Sequence, residues 1–132
     1  MDSFFDENKQ FEVLKEQYEE HGKLIVAYDF DDTVRPFRGS NCEQVIQLLK
    51  DLRPYAHLIC FSARKPNETD MIKEYLESND IPFDFINREW NGENIADNKM
   101  FYNQLLDDKA GLYESYRTLI KFLDWIKNER IT

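Results

Sequence analysis

The sequence predicts an α/β fold built on a mainly parallel central sheet, and three observations carry that prediction. Short apolar runs rich in β-branched residues recur along the chain. Segments with helical apolar spacing separate them. The runs are continuous rather than alternating, as in strands buried on both faces. Strands alternating with helices at this spacing imply βαβ units with right-handed crossovers.

Each element has its own justification. Phe11, Leu14 and Tyr18 lie at helical spacing within Glu7–His21, and Gly22 is a natural stop. LIVAY, Leu24–Tyr28, reads as the first strand. Asn41 fits as the cap of a helix running to about Leu52, with Val45, Leu48, Leu49 and Leu52 on one face. HLICF, His57–Phe61, is the second strand. Asn67 or Thr69 opens a helix through Met71, Ile72, Tyr75 and Leu76 that ends near Asn79. Pro82–Ile86 is a weaker third strand and Tyr102–Leu106 a fourth. A last helix from about Tyr113 to Asn128 turns Tyr116, Leu119, Ile120, Leu123 and Ile126 inward. No repeat, low-complexity tract or Gly/Ser linker interrupts the chain, and its 132 residues are expected to form one domain with its core from about 23 to 128.

Composition narrows the function. The net charge of −9 argues against nonspecific nucleic-acid binding, which needs Lys and Arg to neutralise phosphates. A small phosphorylated substrate stays open if a few cations gather at one site. No run reaches the ~18 apolar residues of a membrane span. The acidic start MDSFFDENKQ lacks the basic and apolar regions of a signal peptide. Cys42 and Cys60 have no metal-like spacing, and a reducing cytoplasm is the natural setting.

In parallel sheets ligands bind beyond the carboxyl ends of the strands, where strand order reverses. The first strand is followed by Asp29-Phe30-Asp31-Asp32-Thr33, the second by Ser62-Ala63-Arg64, the fourth by Asp107-Asp108. Lys99 lies shortly before the fourth. Any one of these groups is explained by turn chemistry. Together they would place several carboxylates, a hydroxyl and two cations in one cleft. Carboxylates so gathered repel one another and are costly to bury unpaired. A hard cation with oxygen ligands, such as Mg²⁺, would offset that cost.

DFDDT, Asp29–Thr33, resembles the first motif (DxDxT) of the haloacid dehalogenase-like (HAD) hydrolase superfamily. FSAR resembles its second motif, Lys99 its third-motif lysine, and LLDD, Leu105–Asp108, its fourth. The resemblance runs from about Leu24 to Asp108. It implies a Rossmann-like three-layer α/β/α fold and a Mg²⁺-dependent phosphatase. Asp29 would be the nucleophile that forms an aspartyl-phosphate. Asp31 would be the general acid and then the base. An acid working near neutrality needs a raised pKa, which neighbouring carboxylates favour. Relatives that do not transfer phosphoryl groups often lack this second aspartate. Thr33 would orient the loop, and Ser62 and Lys99 would hold the phosphoryl oxygens. Asp29, the Asp31 carbonyl and Asp107 or Asp108 would bind Mg²⁺; adjacent residues on an extended chain point opposite ways, so one of the pair would be the direct ligand. Asp32 stands where the family often has Gly, and is expected to turn outward into solvent.

The spacing leaves no room for a cap domain. Only 28 residues separate Thr33 from Ser62 and 36 separate Ser62 from Lys99, and a helix and a strand consume most of each gap. By resemblance, a capless site suits a bulky substrate or a homo-oligomer whose neighbour supplies the lid. Arg35, Arg38 and Arg64 could draw in a phosphorylated substrate such as a nucleotide or sugar phosphate. Alternatively, the two loop arginines, Arg35 and Arg38, pair with surface acids. Trp90 either stacks on a base or packs down. Two other classes share these features. A receiver-like signalling module would need an aspartate after the third strand, where Ile86-Asn87-Arg88 stands. A non-catalytic phosphate- or Mg²⁺-binding module would not need every motif position filled.

Overall fold

The centre of the fold is β1, Leu24–Asp29, which pairs on both sides. The computed structural model describes residues 7–38, 41–88, 91–92, 102–107 and 111–131. Within them β2 (Ala56–Phe61), β3 (Phe85–Ile86) and β4 (Gln104–Leu106) complete a four-stranded, all-parallel sheet in the order β3-β2-β1-β4. Four helices flank it: α1 (Glu7–His21), α2 (Glu43–Leu52), α3 (Thr69–Ser78) and α4 (Leu112–Ile131). The architecture is the expected Rossmann-like, three-layer α/β/α type. Among the described residues no helix is long and apolar enough to cross a membrane.

The core follows from strand alternation. Leu24, Val26 and Tyr28 of β1 pair with Ala56, Leu58 and Cys60 of β2 on one face. They join one cluster with Leu14 and Tyr18 of α1, Val45, Leu48, Leu49 and Leu52 of α2, Ile72 and Leu76 of α3, and Leu119, Phe122, Leu123 and Ile126 of α4. Ala27 and Ile59, on the opposite face, are also fully buried, as the continuous apolar runs require. The helix faces read from the sequence are those that pack, except that Met71 is exposed and Phe122 is a further core residue. Tyr18 meets Phe122 edge-on at 5.4 Å between ring centres. Gly22 takes φ +79° and donates its N–H to the Tyr18 carbonyl, which ends α1.

The outer strands are shorter than the sequence suggests, because side chains take over ladder positions. The Asp84 carboxylate accepts the Leu58 N–H at 2.7 Å while the Asp84 N–H donates to the Leu58 carbonyl. The Asn103 carboxamide oxygen does the same for the Ile25 N–H at 2.6 Å. One helix start differs, while α3 opens at Thr69, one of the two expected positions. Asn41 accepts the Glu43 N–H, but Cys42 is the residue that flanks α2. A single 3₁₀ turn, Pro66–Glu68, precedes α3.

Tyr28 is buried, and its hydroxyl donates to the Pro82 carbonyl at 2.9 Å. Burial, chiefly, pushes its phenol well above the ordinary value. Tyr28→Phe should cost about 1 kcal/mol by removing that bond. Leu49→Ala should cost about 2–5 kcal/mol through the cavity it leaves. Urea denaturation of the two variants checks that order.

Candidate functional site

The sheet register assembles the site. Asp29 is the last residue of β1 and pairs with Phe61, so Ser62 emerges beside it from β2. On the other side Tyr28 pairs with Leu106, which puts Asp29 and Asp107 at neighbouring positions just past the last rung. Adjacent strands lie ~4.8 Å apart, so two acids flank the point where strand order reverses. A cleft of about 330 Å³ opens beyond the ends of β1 and β2, lined by Asp29, Asp31, Phe37, Arg38, Ser62 and Arg64 among others; Asp107, past β4, is not part of that lining. A larger hollow of about 500 Å³ lies at the C-terminal ends of α2 and α3, by Arg53, Glu77 and Phe83. It gathers none of the motif residues.

The DFDDT stretch is a tightly closed loop. The Phe30 carbonyl accepts N–H groups from both Val34 and Arg35, and the Asp32 N–H donates to the Arg35 carbonyl at 2.7 Å. Phe30, Thr33 and Val34 are buried beneath it. Asp32 is the hinge of this loop and corrects an expectation. It does not turn into solvent: it is only 9% exposed and has φ +62°. Its Oδ1 accepts the N–H groups of Phe37 and Arg38 at 2.9 and 2.7 Å. Left-handed backbone is where glycine is easiest. Aspartate tolerates that region and here adds two hydrogen bonds.

Asp31 also has unexpected neighbours. The side chains that touch it are guanidinium groups, not carboxylates. Arg64 grips it side-on, Nε to Oδ2 at 2.8 Å and Nη2 to Oδ1 at 3.1 Å. Arg35 adds Nη1 to Oδ1 at 3.2 Å. Arg64 also reaches Glu68 Oε2 at 2.7 Å. The bonds to Asp31 and then Glu68 hold its guanidinium charged, above the ordinary value. Arg35 therefore pairs with an acid of the cleft itself and lies near the Phe30, Phe37 and Tyr75 rings. Arg38 lines the cleft.

Ser62 is buried, and its Oγ accepts the Arg64 N–H at 3.1 Å, which leaves the hydroxyl hydrogen for a ligand. The sequence reading gave no role to the residue that fixes Ser62. Asn87 accepts the Ser62 N–H at 2.8 Å and takes φ +53°, after donating its own N–H to the Cys60 carbonyl. An asparagine directly after a strand was the available signal. Lys99, Asp108 and Trp90 lie outside the described residues. Among the described residues no three His, Cys, Asp or Glu side chains form a ready metal cluster. The donors at the β1 and β4 ends are nonetheless all hard oxygens. Mg²⁺ commonly takes one or two carboxylates and fills its shell with water and phosphate, so this donor set fits it.

The chain matches no family model, no curated protein and no solved structure.

Two predictions follow from the loop and from the strand beneath it. Asp32→Asn should stay within about 1 kcal/mol of the parent, because it keeps both the acceptor and tolerance of positive φ. Asp32→Gly should be weaker, and Asp32→Ala weakest at about 2–3 kcal/mol, losing bonds and straining the backbone. Chemical denaturation ranks the three. Cys60 is fully buried, and burial pushes its thiol up, with Asp29 and Asp31 adding negative charge nearby. Cys42 is buried as well. Neither thiol should react with a disulfide reagent at pH 8 until denaturant is added, which a colorimetric thiol count reads directly.

Proposed function

We propose that this chain is a Mg²⁺-dependent phosphomonoester hydrolase of the HAD type, acting on a small phosphorylated metabolite, such as a nucleotide or sugar phosphate, in the cytoplasm. The observation that carries the reading is the convergence of Asp29, Asp31, Ser62 and two arginines in one cleft at the carboxyl end of the central strand.

Asp29 attacks phosphorus from the strand end, and its carboxylate oxygen forms the new P–O bond. Asp31, two residues on, gives a proton to the departing ester oxygen and then takes one from the water that hydrolyses the aspartyl-phosphate. Ser62 donates its hydroxyl to a phosphoryl oxygen, steadied by Asn87. Thr33, fully buried, anchors the loop between the two acids and Arg35. The Asp29 carboxylate, the Asp31 carbonyl and the acid pair Asp107 and Asp108 would hold Mg²⁺, with Lys99 near the phosphoryl group. When bound, the cation would offset the repulsion between a phosphate dianion and these carboxylates.

Asp29→Asn should lower phosphate release by about a thousandfold or more while leaving the melting temperature in place. EDTA should abolish release from the parent protein, and added Mg²⁺ should restore it. The assay is phosphate release from nucleotides, sugar phosphates and p-nitrophenyl phosphate. Undiminished release by Asp29→Asn would end the aspartyl-phosphate mechanism.

A further inference from the structure

Guanidinium groups engage both oxygens of Asp31 and fill three of its about four acceptor positions. Oδ2 accepts from Arg64 Nε, and Oδ1 accepts from both Arg64 Nη2 and Arg35 Nη1. If Asp31 is the acid–base residue of the proposed hydrolase, the Arg64 fork across both of its oxygens has to loosen before a leaving group can approach Oδ2 squarely. Arg64 is placed to do so. It belongs to the irregular Ser62–Lys65 segment between β2 and the 3₁₀ turn, not to a helix or strand. Its guanidinium is tethered on its other side by Glu68 and lies 5.6 Å from the centre of the exposed Phe37 ring, so it has an anchor and a platform away from Asp31. What is missing is an anion to replace Asp31. A ligand shifts such an equilibrium only by its differential affinity for the released state.

We propose that Arg64 is a specificity-determining residue, which exchanges Asp31 for a second anionic group carried by the substrate beside its phosphoryl ester. The inference rests on the hydrolase reading for the role of Asp31, and on the geometry alone for the exchange. A lone phosphoryl group, held by Ser62 and the cation, leaves Arg64 on Asp31. A second carboxylate or phosphate offers Arg64 a bidentate partner and releases Asp31 Oδ2 for the ester, with Arg35 still on Oδ1. Arg38 lines the same cleft and adds positive charge to that subsite. The volume, about 330 Å³, is at the lower end of ordinary small-molecule sites and so admits more than a phosphoryl group.

O-Phosphoserine and phosphoethanolamine differ by one carboxylate and make the test. Each is titrated with Mg²⁺ into protein carrying ¹⁵N-labelled arginine, with the Arg64 Nε–Hε resonance assigned by its loss in Arg64→Gln. Phosphoserine should bind about tenfold or more tightly than phosphoethanolamine, the order of net preference an exchange needs to favour the released state, and should move the Arg64 resonance. In Arg64→Gln the preference should vanish. An unmoved resonance at saturation, a preference that survives in Arg64→Gln, or equal or absent binding of the two esters would each overturn the proposal. Phosphate release is followed in the same samples. Equal binding with release from both esters would overturn the Arg64 exchange and leave the hydrolase reading standing. Discriminating binding without release would support the exchange and count against hydrolysis.

Discussion

Everything at the candidate site depends on β1 being laddered on both sides. Its pairing with β2 and β4 fixes where each neighbouring chain leaves the sheet, to within one residue. Asp29, Ser62 and Asp107 leave the sheet at one level because parallel rungs end together, although they are far apart in sequence. A one-residue slip of either neighbour would reverse its inward and outward faces, exchanging buried apolar side chains for polar ones. The core that forbids this slip is the same cluster that binds α1, α2, α3 and α4 to the sheet. The chemistry of the strand ends thus inherits its precision from apolar burial some residues below.

The two aspartates after Phe30 show how a short acidic run divides its labour. Asp31 presents its carboxylate to the cleft, where two guanidiniums meet it. Asp32 turns its own back to the chain and closes the loop on two backbone N–H groups. Repulsion between adjacent acids is relieved by opposite means, ion pairing for one and amide hydrogen bonding for the other. The density of carboxylates in this stretch therefore has a structural component as well as a chemical one.

Much of this was legible in the sequence. The spacing of Val45, Leu48, Leu49 and Leu52 gave the buried face of α2 because amphipathic periodicity is a local property. Continuous apolar runs gave β1 and β2 for the same reason. The ends of β3 and β4 were read too long, because Asp84 and Asn103 find their partners 26 and 78 residues away. Asp84 falls inside the strand read over Pro82–Ile86, and only the fold shows that its carboxylate, with its own N–H, serves as the rung there. The cleft acids and Ser62 were legible as strand-end residues. The grip of Arg64 on Asp31 was not, since nothing local distinguishes an arginine 33 residues away that pairs inward from one that faces water. Nor were the left-handed turn at Asp32 and its two amide partners, which depend on how the loop closes.

The short outer strands bear on how the molecule behaves among its own copies. An open sheet invites a neighbouring chain to add a strand wherever a long row of backbone groups lies unpaired. Among the described residues the two flanking strands span two and three residues, and the preceding position on each ladders inward through the side chain of Asp84 or Asn103. Such an edge gives an incoming strand too few rungs to nucleate on. The truncation that looks like an imperfect sheet thus acts as a guard against cross-β stacking in a chain whose central strands are almost wholly apolar.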